Sequence, residues 1–219
     1  MDRPPSSHVS VDVITLRYNP ESREVEIATG PRPREPYLGR LALPGVLLWE
    51  GERLADAARR AVKEKLGFDN VLALGQLEVF DEPTRDPRGF TLSIAMWAVA
   101  DGEAEWFPIR EIPELAFDHA SIVEHCTPML ADKLWRDINF TKALTGESFP
   151  VSTAVALTKS LSGVAPDRGN LNRRLAAIKG LGISHKRVVL GRGRPGTLWA
   201  WGAPPAPKNG KNGNAGADD

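Results

Sequence analysis

Positions 61, 64 and 65 fall on one side of a helix, an arrangement in which three carboxylates would hold hard divalent cations through oxygen. This chain offers Ala61, Glu64 and Lys65. One carboxylate beside an ammonium cannot balance a Mg2+ ion, and the ion's role of activating water and clamping a diphosphate goes with it. A second group with chemistry to offer lies downstream, in DRGNLNRRLAAIKGLG, Asp167 to Gly182. Leu171, Leu175 and Ile178 share a helical face and must turn inward, so Arg173 points away from the core, flanked by Gly169, Asn172, Ala176 and Ala177. An outward arginine and asparagine among very small residues suit close approach to a DNA major groove, where Arg reads guanine, Asn adenine and Ala a thymine methyl. Arg168, Asn170, Asn172, Arg173 and Arg174 are the candidate DNA-contacting residues of this helix.

The elements that must position these groups follow from periodicity. Leu54, Ala58, Val62 and Leu66 recur every four residues beside Ala57 and Ala61, which predicts an amphipathic helix ended by Gly67. Upstream, Val9, Val11 and Val13 alternate with Ser10 and Asp12 as a strand, Asn19-Pro20 turns, and Val25 to Thr29 returns as its hairpin partner. Gly30 to Gly45 reads as a loop rich in Pro, Gly and Arg. Leu72 to Phe80 and Phe90 to Ala100 are strand-like, joined by the polar DEPTRDPRG, and Trp106 to Ile109 is a further short strand. Asp118 beside His119 reads as the N-cap of a helix carrying Ile122, Val123, Cys126, Met129, Leu130 and Leu134, with Pro128 as the place for a kink; an acid/base pair or metal ligand at His119 is the competing reading. Ile138 to Leu144 is a second helical piece, and Ser152 is expected to cap a helix through Leu161 that Gly163 ends. Val188 to Leu190 and Leu198 to Trp201 flank GRGRPG as a hairpin with Arg192 and Arg194 at its tip. Two helices and such a hairpin make a winged helix-turn-helix, in which the wing and Lys186 or Arg187 grip phosphates; a loop entering the minor groove is the alternative for GRGRP.

The net charge of the 219 residues is zero, but it is unevenly spread. Residues 1–149 hold 17 Lys and Arg against 25 Asp and Glu, whereas 150–219 hold 11 against 3. A polyanion would meet the C-terminal part only. The single cysteine, Cys126, excludes an internal disulfide and a cysteine-based zinc cluster and points to a reducing compartment. No long apolar run or leader pattern appears, so a soluble, cytoplasmic, nucleoid-associated protein with no membrane partner is expected.

The stretch LPGVLLWEGERLADAARRAVKEKLGF, Leu43 to Phe68, resembles the Nudix box in length and placement, with Glu52 and Arg60 at the positions that form a supporting ion pair in that family and Val46 in place of the box glycine. The DEPTRDPRG segment is similar to one found in Nudix ADP-ribose pyrophosphatases and their regulator relatives, as is PELAFDHA, Pro113 to Ala120. Together with the helix DRGNLNRRL and the wing GRGRP, the pattern resembles the NrtR family of Nudix-related transcriptional regulators of NAD metabolism over about residues 8–201. The resemblance implies an α+β fold, an α/β/α Nudix sandwich over 1–147, followed by a small winged helix-turn-helix domain over 148–202 and a disordered tail over 203–219. It further implies a homodimeric bacterial repressor of NAD biosynthesis genes on palindromic double-stranded operator DNA. Its pocket would bind no metal and no cofactor but sense ADP-ribose or a related nucleotide. Arg34, Arg40, Gly45, Glu52, Arg60, Glu64, Asp86 and Arg88 would form that ligand site, and no catalytic residue is expected. An active hydrolase with an accessory nucleic-acid domain, its metal held by Glu52 and Glu64 with help from Glu78 or Asp81, is the competing function. An RNA-binding protein is a third, disfavoured because A-form RNA has too narrow a major groove for a helix.

Overall fold

The computed structural model describes residues 7–184 and 198–204. The expected N-terminal hairpin is present, β1 (His8–Asn19) against β2 (Glu24–Pro31), with Thr15 opposite Ala28 and Asn19 opposite Glu24. The proline- and arginine-rich stretch expected as a loop contains two short strands, β3 (Leu41–Ala42) and β4 (Gly45–Leu47). Helix α1 (Leu54–Leu66) ends as its sequence predicts, on Gly67 at φ +77°, a left-handed conformation that glycine adopts without strain. Then come β5 (Val71–Phe80), β6 (Thr91–Ala100) and β7 (Glu105–Pro108). These seven strands form one mixed sheet of order β3-β2-β1-β6-β5, in which β1 and β6 run parallel, β4 pairs with β1 and β7 with β2.

Helices α2 (His119–Lys133) and α3 (Ile138–Thr145) follow, then β8 (Ser148–Pro150), α4 (Val151–Ser162), α5 (Arg168–Ala176), β9 (Leu181–Ile183) and β10 (Leu198–Trp201). Pro128 sits inside α2, which continues through it to Lys133. Helix α4 begins one residue before the expected cap: Pro150 stands at the N-cap without a side-chain bond, and Ser152 lies in the first turn. Asp167 does cap α5, its carboxylate accepting from the Asn170 amide at 2.8 Å. The stretch from Asp167 to Gly182 is helical only as far as Ala176, and Gly182 belongs to β9, where an added Cβ would clash with the Pro204 carbonyl oxygen.

Each face of the large sheet buries its own apolar cluster. Val11, Val13, Ala28, Met96 and Ala98 meet Ala57, Ala58, Ala61 and Val62 of α1. On the other face Ile14, Leu16, Val25, Ile27, Trp97 and Val99 pack with α2 and α3, and the same cluster runs on through Leu157, Leu161, Leu171, Leu175 and Trp199. The result is an α/β/α sandwich whose second core is shared with the C-terminal helices. Polar bonds reinforce the joint: the Val25 amide donates to Ser160 Oγ at 2.8 Å, Arg110 donates to the Ser160 and Leu161 carbonyls at 2.9 and 2.6 Å, and Trp135 Nε1 donates to Thr158 Oγ1 at 2.9 Å. The C-terminal elements close with a three-stranded antiparallel sheet of order β8-β10-β9, Trp199 lying opposite Phe149 and Ile183. Within the described residues Leu198–Trp201 thus pairs with Ser148–Pro150 on one side and Leu181–Ile183 on the other; Val188–Leu190 and the tail beyond Pro204 lie outside them. Among the described residues no helix is long and apolar enough to cross a membrane.

Candidate functional site: an arginine-lined cavity and an exposed basic helix

A cavity of about 430 Å³ opens where β1, β2, β4 and α1 meet the 85–91 loop and the start of α2. Its floor is Asp12 of β1, one of the few carboxylates in the molecule that is nearly sealed from solvent. Charge at that depth needs partners. Ser10 and Ser93 donate hydroxyls to Asp12, and Arg85 Nη2 approaches it at 3.5 Å. Arg85 itself is buried and donates from Nε and from the same Nη2 to Asp118, at 2.9 and 2.7 Å. This corrects the capping role expected of Asp118: the residue stands at the N-cap of α2, but its carboxylate is taken by Arg85 and makes no cap bond. Gly45 is where β4 crosses the floor, and a Cβ there would lie 2.1 Å from Asp12 Oδ1, so only glycine lets the strand pass.

His119 is buried beside Asp12. Its Nδ1 accepts from the Leu43 amide at 3.0 Å and its Nε2 is 3.7 Å from Asp12 Oδ1. Burial holds the imidazole below its ordinary range; the Asp12 and Asp118 carboxylates oppose this, and the Arg85 and Arg32 guanidiniums reinforce it. A neutral ring accepting at Nδ1 joins the α2 start to the wall of the cavity, a role that needs no acid/base chemistry.

Six of the eight ligand residues proposed from sequence line the cavity: Arg34, Gly45, Arg60, Glu64, Asp86 and Arg88. Arg40 does not; it pairs with Glu114 at 2.8 Å on the exposed surface. Glu52 does not reach the lining either but binds Arg60 through two bonds of 2.8 and 2.7 Å, which hold its carboxyl below the usual range. Asp86 is burdened by burial, yet side-chain and backbone bonds from Arg88 outweigh that and keep it below its ordinary value. Sequence reasoning missed Asp12, Arg32, Trp49, Arg85, Phe117 and His119 as cavity residues. Several had a local signal: Arg32 shares the GPRPR run with Arg34, Arg85 shares DEPTRDPRG with Asp86 and Arg88, and Phe117 and His119 lie in PELAFDHA. Arg32 lies 4.4 Å over the Phe117 ring, and Arg60 lies 3.6 Å over Trp49, which remains 61% exposed at the rim.

A divalent cation does not suit this lining. Its carboxylates are Asp12, already engaged, Asp86, bonded to Arg88, and Glu64. Ala61, on the side where a further acid would be needed, is fully buried in the α1 cluster and does not reach the cavity, while Lys65 does. Glu78 and Asp81 are not among the lining residues. No group of three His, Cys, Asp or Glu side chains able to hold a metal occurs among the described residues.

The second candidate surface is α5. Leu171 and Leu175 are buried, while Arg168, Gly169, Asn170, Asn172, Arg173, Arg174 and Ala176 are exposed. Arg173 donates to Asn170 Oδ1, and Arg174 donates to the Leu134 carbonyl at 3.1 Å, which ties the helix to the end of α2. Lys186, Arg187, Arg192 and Arg194 lie outside the described residues.

No family model matches the chain. Among curated proteins, the ADP-ribose pyrophosphatase of Methanocaldococcus jannaschii is 36% identical over 104 residues, which is 42% of this chain and 60% of that protein. Among solved structures, NrtR of Shewanella oneidensis complexed with a 27mer DNA has a TM-score of 0.72 at 23% identity, covering 88% of this chain and 93% of that one. The same NrtR in a second structure gives 0.71 at 23% identity, with the same coverage. A MutT/nudix family protein from Enterococcus faecalis gives 0.70 at 20% identity over 91% of this chain and 89% of its own. These likenesses define the class of architecture: the chain has the Nudix fold, an α+β sandwich extended by a further C-terminal unit.

Proposed function

We propose that this protein is a DNA-binding transcriptional regulator whose Nudix-fold body senses a nucleotide of the ADP-ribose type and does not hydrolyse it. The observation that carries this reading is α5, a two-turn helix that buries only Leu171 and Leu175 and turns Arg168, Asn170, Asn172 and Arg173 outward among small residues. With α4 beneath it and the β8-β10-β9 sheet beside it, the unit has the plan of a winged helix-turn-helix. The NrtR structure complexed with a 27mer DNA covers 88% of this chain, and the resemblance of the sequence to the NrtR family supports the remainder of the proposal: a homodimer on a palindromic operator of NAD biosynthesis genes. Control by ligand follows as a population shift. The start of α2 is a wall of the cavity at His119, and its last residues support α5 through Leu134 and Arg174, about 22 Å further along at 1.5 Å per residue. Nucleotide binding that moves α2 would thus move the reading helix.

A gel shift on duplex DNA from upstream of NAD biosynthesis genes, with and without ADP-ribose, tests the reading; it fails if the protein ignores every duplex at low salt, or if ADP-ribose binds the free and DNA-bound forms equally. The 36% identity to an ADP-ribose pyrophosphatase favours one competitor, an active hydrolase. Incubation with ADP-ribose and Mg2+ or Mn2+ separates the two, because a hydrolase releases AMP.

A further inference from the structure

The cavity contains more positive charge than its own carboxylates neutralise. Of its cations, Arg85 is committed to Asp118 and Asp12, Arg88 to Asp86, and Arg60 to Glu52. Among the described residues no carboxylate lies within ion-pair distance of Arg32, Arg34 or Lys65, all three of which line the cavity. Gly30, at the end of β2, abuts the Lys65 carbonyl so tightly that an added Cβ would be 3.1 Å from it, which sets the last turn of α1 against the end of β2 on the same cavity wall. Arg32 is pinned in place, its Nε donating to the Pro36 carbonyl at 2.7 Å and its guanidinium lying over Phe117. Burial lowers its affinity for a proton, and the charges of Arg88 and Arg34 add to that effect while Asp86 and Asp12 oppose it. A cavity with more cations than carboxylates in its lining costs free energy, and a bound anion relieves it.

We propose that Lys65 takes the place of a divalent cation, so that the cavity binds a diphosphate-bearing ligand directly and without metal, through Lys65, Arg32 and Arg34. An ammonium is a compact point charge with three donors, and a guanidinium is a fork matched to two phosphate oxygens. Three such groups suit the two or more negative charges of a diphosphate, whereas a lone carboxylate would leave the cavity still positive. The position of Lys65 on α1 is decisive: beside Glu64 it repels the cation that a second carboxylate there would have drawn in. Trp49, exposed at the rim with Arg60 behind it, offers a stacking face to whatever ring the diphosphate carries. This inference rests on the cavity being the effector site of the proposed regulator.

Titration calorimetry of the full chain with inorganic pyrophosphate, and separately with ADP-ribose, in EDTA and then in Mg2+, tests it. Both probes are expected to bind in EDTA. Lys65→Ala should weaken both by about tenfold or more and Lys65→Arg by much less, while Lys63→Ala, two residues away and paired with Asp69 at 2.7 Å, should match the wild type. An unchanged melting temperature of Lys65→Ala would show that the loss is not one of folding. Binding that appears only with Mg2+, absence of binding in either buffer, or a Lys65→Ala affinity equal to wild type overturns the inference. A gel shift without nucleotide depends on the C-terminal unit alone, so failure there with pyrophosphate binding intact would remove the regulator and leave the metal-free site standing.

Discussion

Replacing Arg85 with methionine removes the one cation between two carboxylates in the cavity floor. The side chain is 4% exposed, against 7% for Asp12 and 23% for Asp118. Removing one member of a buried ionic group costs about 3–5 kcal/mol, because the charge left behind keeps its desolvation cost without its partner. Asp12 retains the hydroxyls of Ser10 and Ser93, and Asp118 reaches some water, so the lower end applies, about 3 kcal/mol at neutral pH. For a chain of this size that is a fall in melting temperature of about 6–12 °C. The pH dependence is more diagnostic. In the intact protein burial holds the folded-state His119 imidazole below its ordinary range, so the stability it contributes is full at neutral pH and declines as acid is added. Without the Arg85 charge the folded ring accepts a proton more readily and can balance Asp12, so the variant loses less on acidification. Urea unfolding followed by tryptophan fluorescence at about pH 7 and about pH 5.5 measures both effects. A cost under about 1 kcal/mol at neutral pH, or a gap from wild type that widens in acid, would refute the account of the floor.

Gly45→Ala should cost about 1–3 kcal/mol, seen as a lower urea midpoint, because the new methyl meets an Asp12 carboxylate that its partners do not let move. Ser160→Ala leaves the buried Val25 amide without an acceptor and should cost about 1–3 kcal/mol while the protein still unfolds in a single transition; two separated transitions would mean that the shared core does not couple its parts. The Cys126 thiol, buried and pushed up to about 12, should react with a thiol reagent only as fast as the protein opens, and immediate modification of the native protein would contradict its placement. Arg173→Ala should cost about 1–3 kcal/mol on a cognate operator and relax base choice there, checked by competition gel shift; equal loss on all duplexes would assign Arg173 to phosphate.

Local patterns proved legible wherever one element carried its own signal. The four-residue recurrence from Leu54 to Leu66 marked α1 and the glycine after it marked where the helix ends, and Asp167 marked the start of α5. The floor of the cavity was not legible, because its members are brought together from positions 12, 85, 93, 118 and 119, and no spacing within any one element reveals them. Alternation in β1 ordinarily sends Ser10 and Asp12 to solvent, but here β1 is a central strand whose first half is covered by the cavity loops, and both residues are buried. Arg40 and Arg34 were indistinguishable as loop arginines; only the fold sends one to Glu114 and the other into the cavity. Lys65 was legible as the loss of a carboxylate, and its place in the cavity wall beside Gly30 came from the packing of α1 on β2.

The seat of α4 on the sheet limits how such a protein can be rebuilt. Ser160, Leu161 and Leu157 complete the face that Val25 and Ile27 present, so cutting the chain before Val151 would lay bare an apolar surface and an amide wanting an acceptor. A chimera that borrows another C-terminal unit would therefore have to import its whole first helix in matching shape, and random recombination between relatives would rarely satisfy that demand. The sandwich and the unit seated on it must be inherited as one piece.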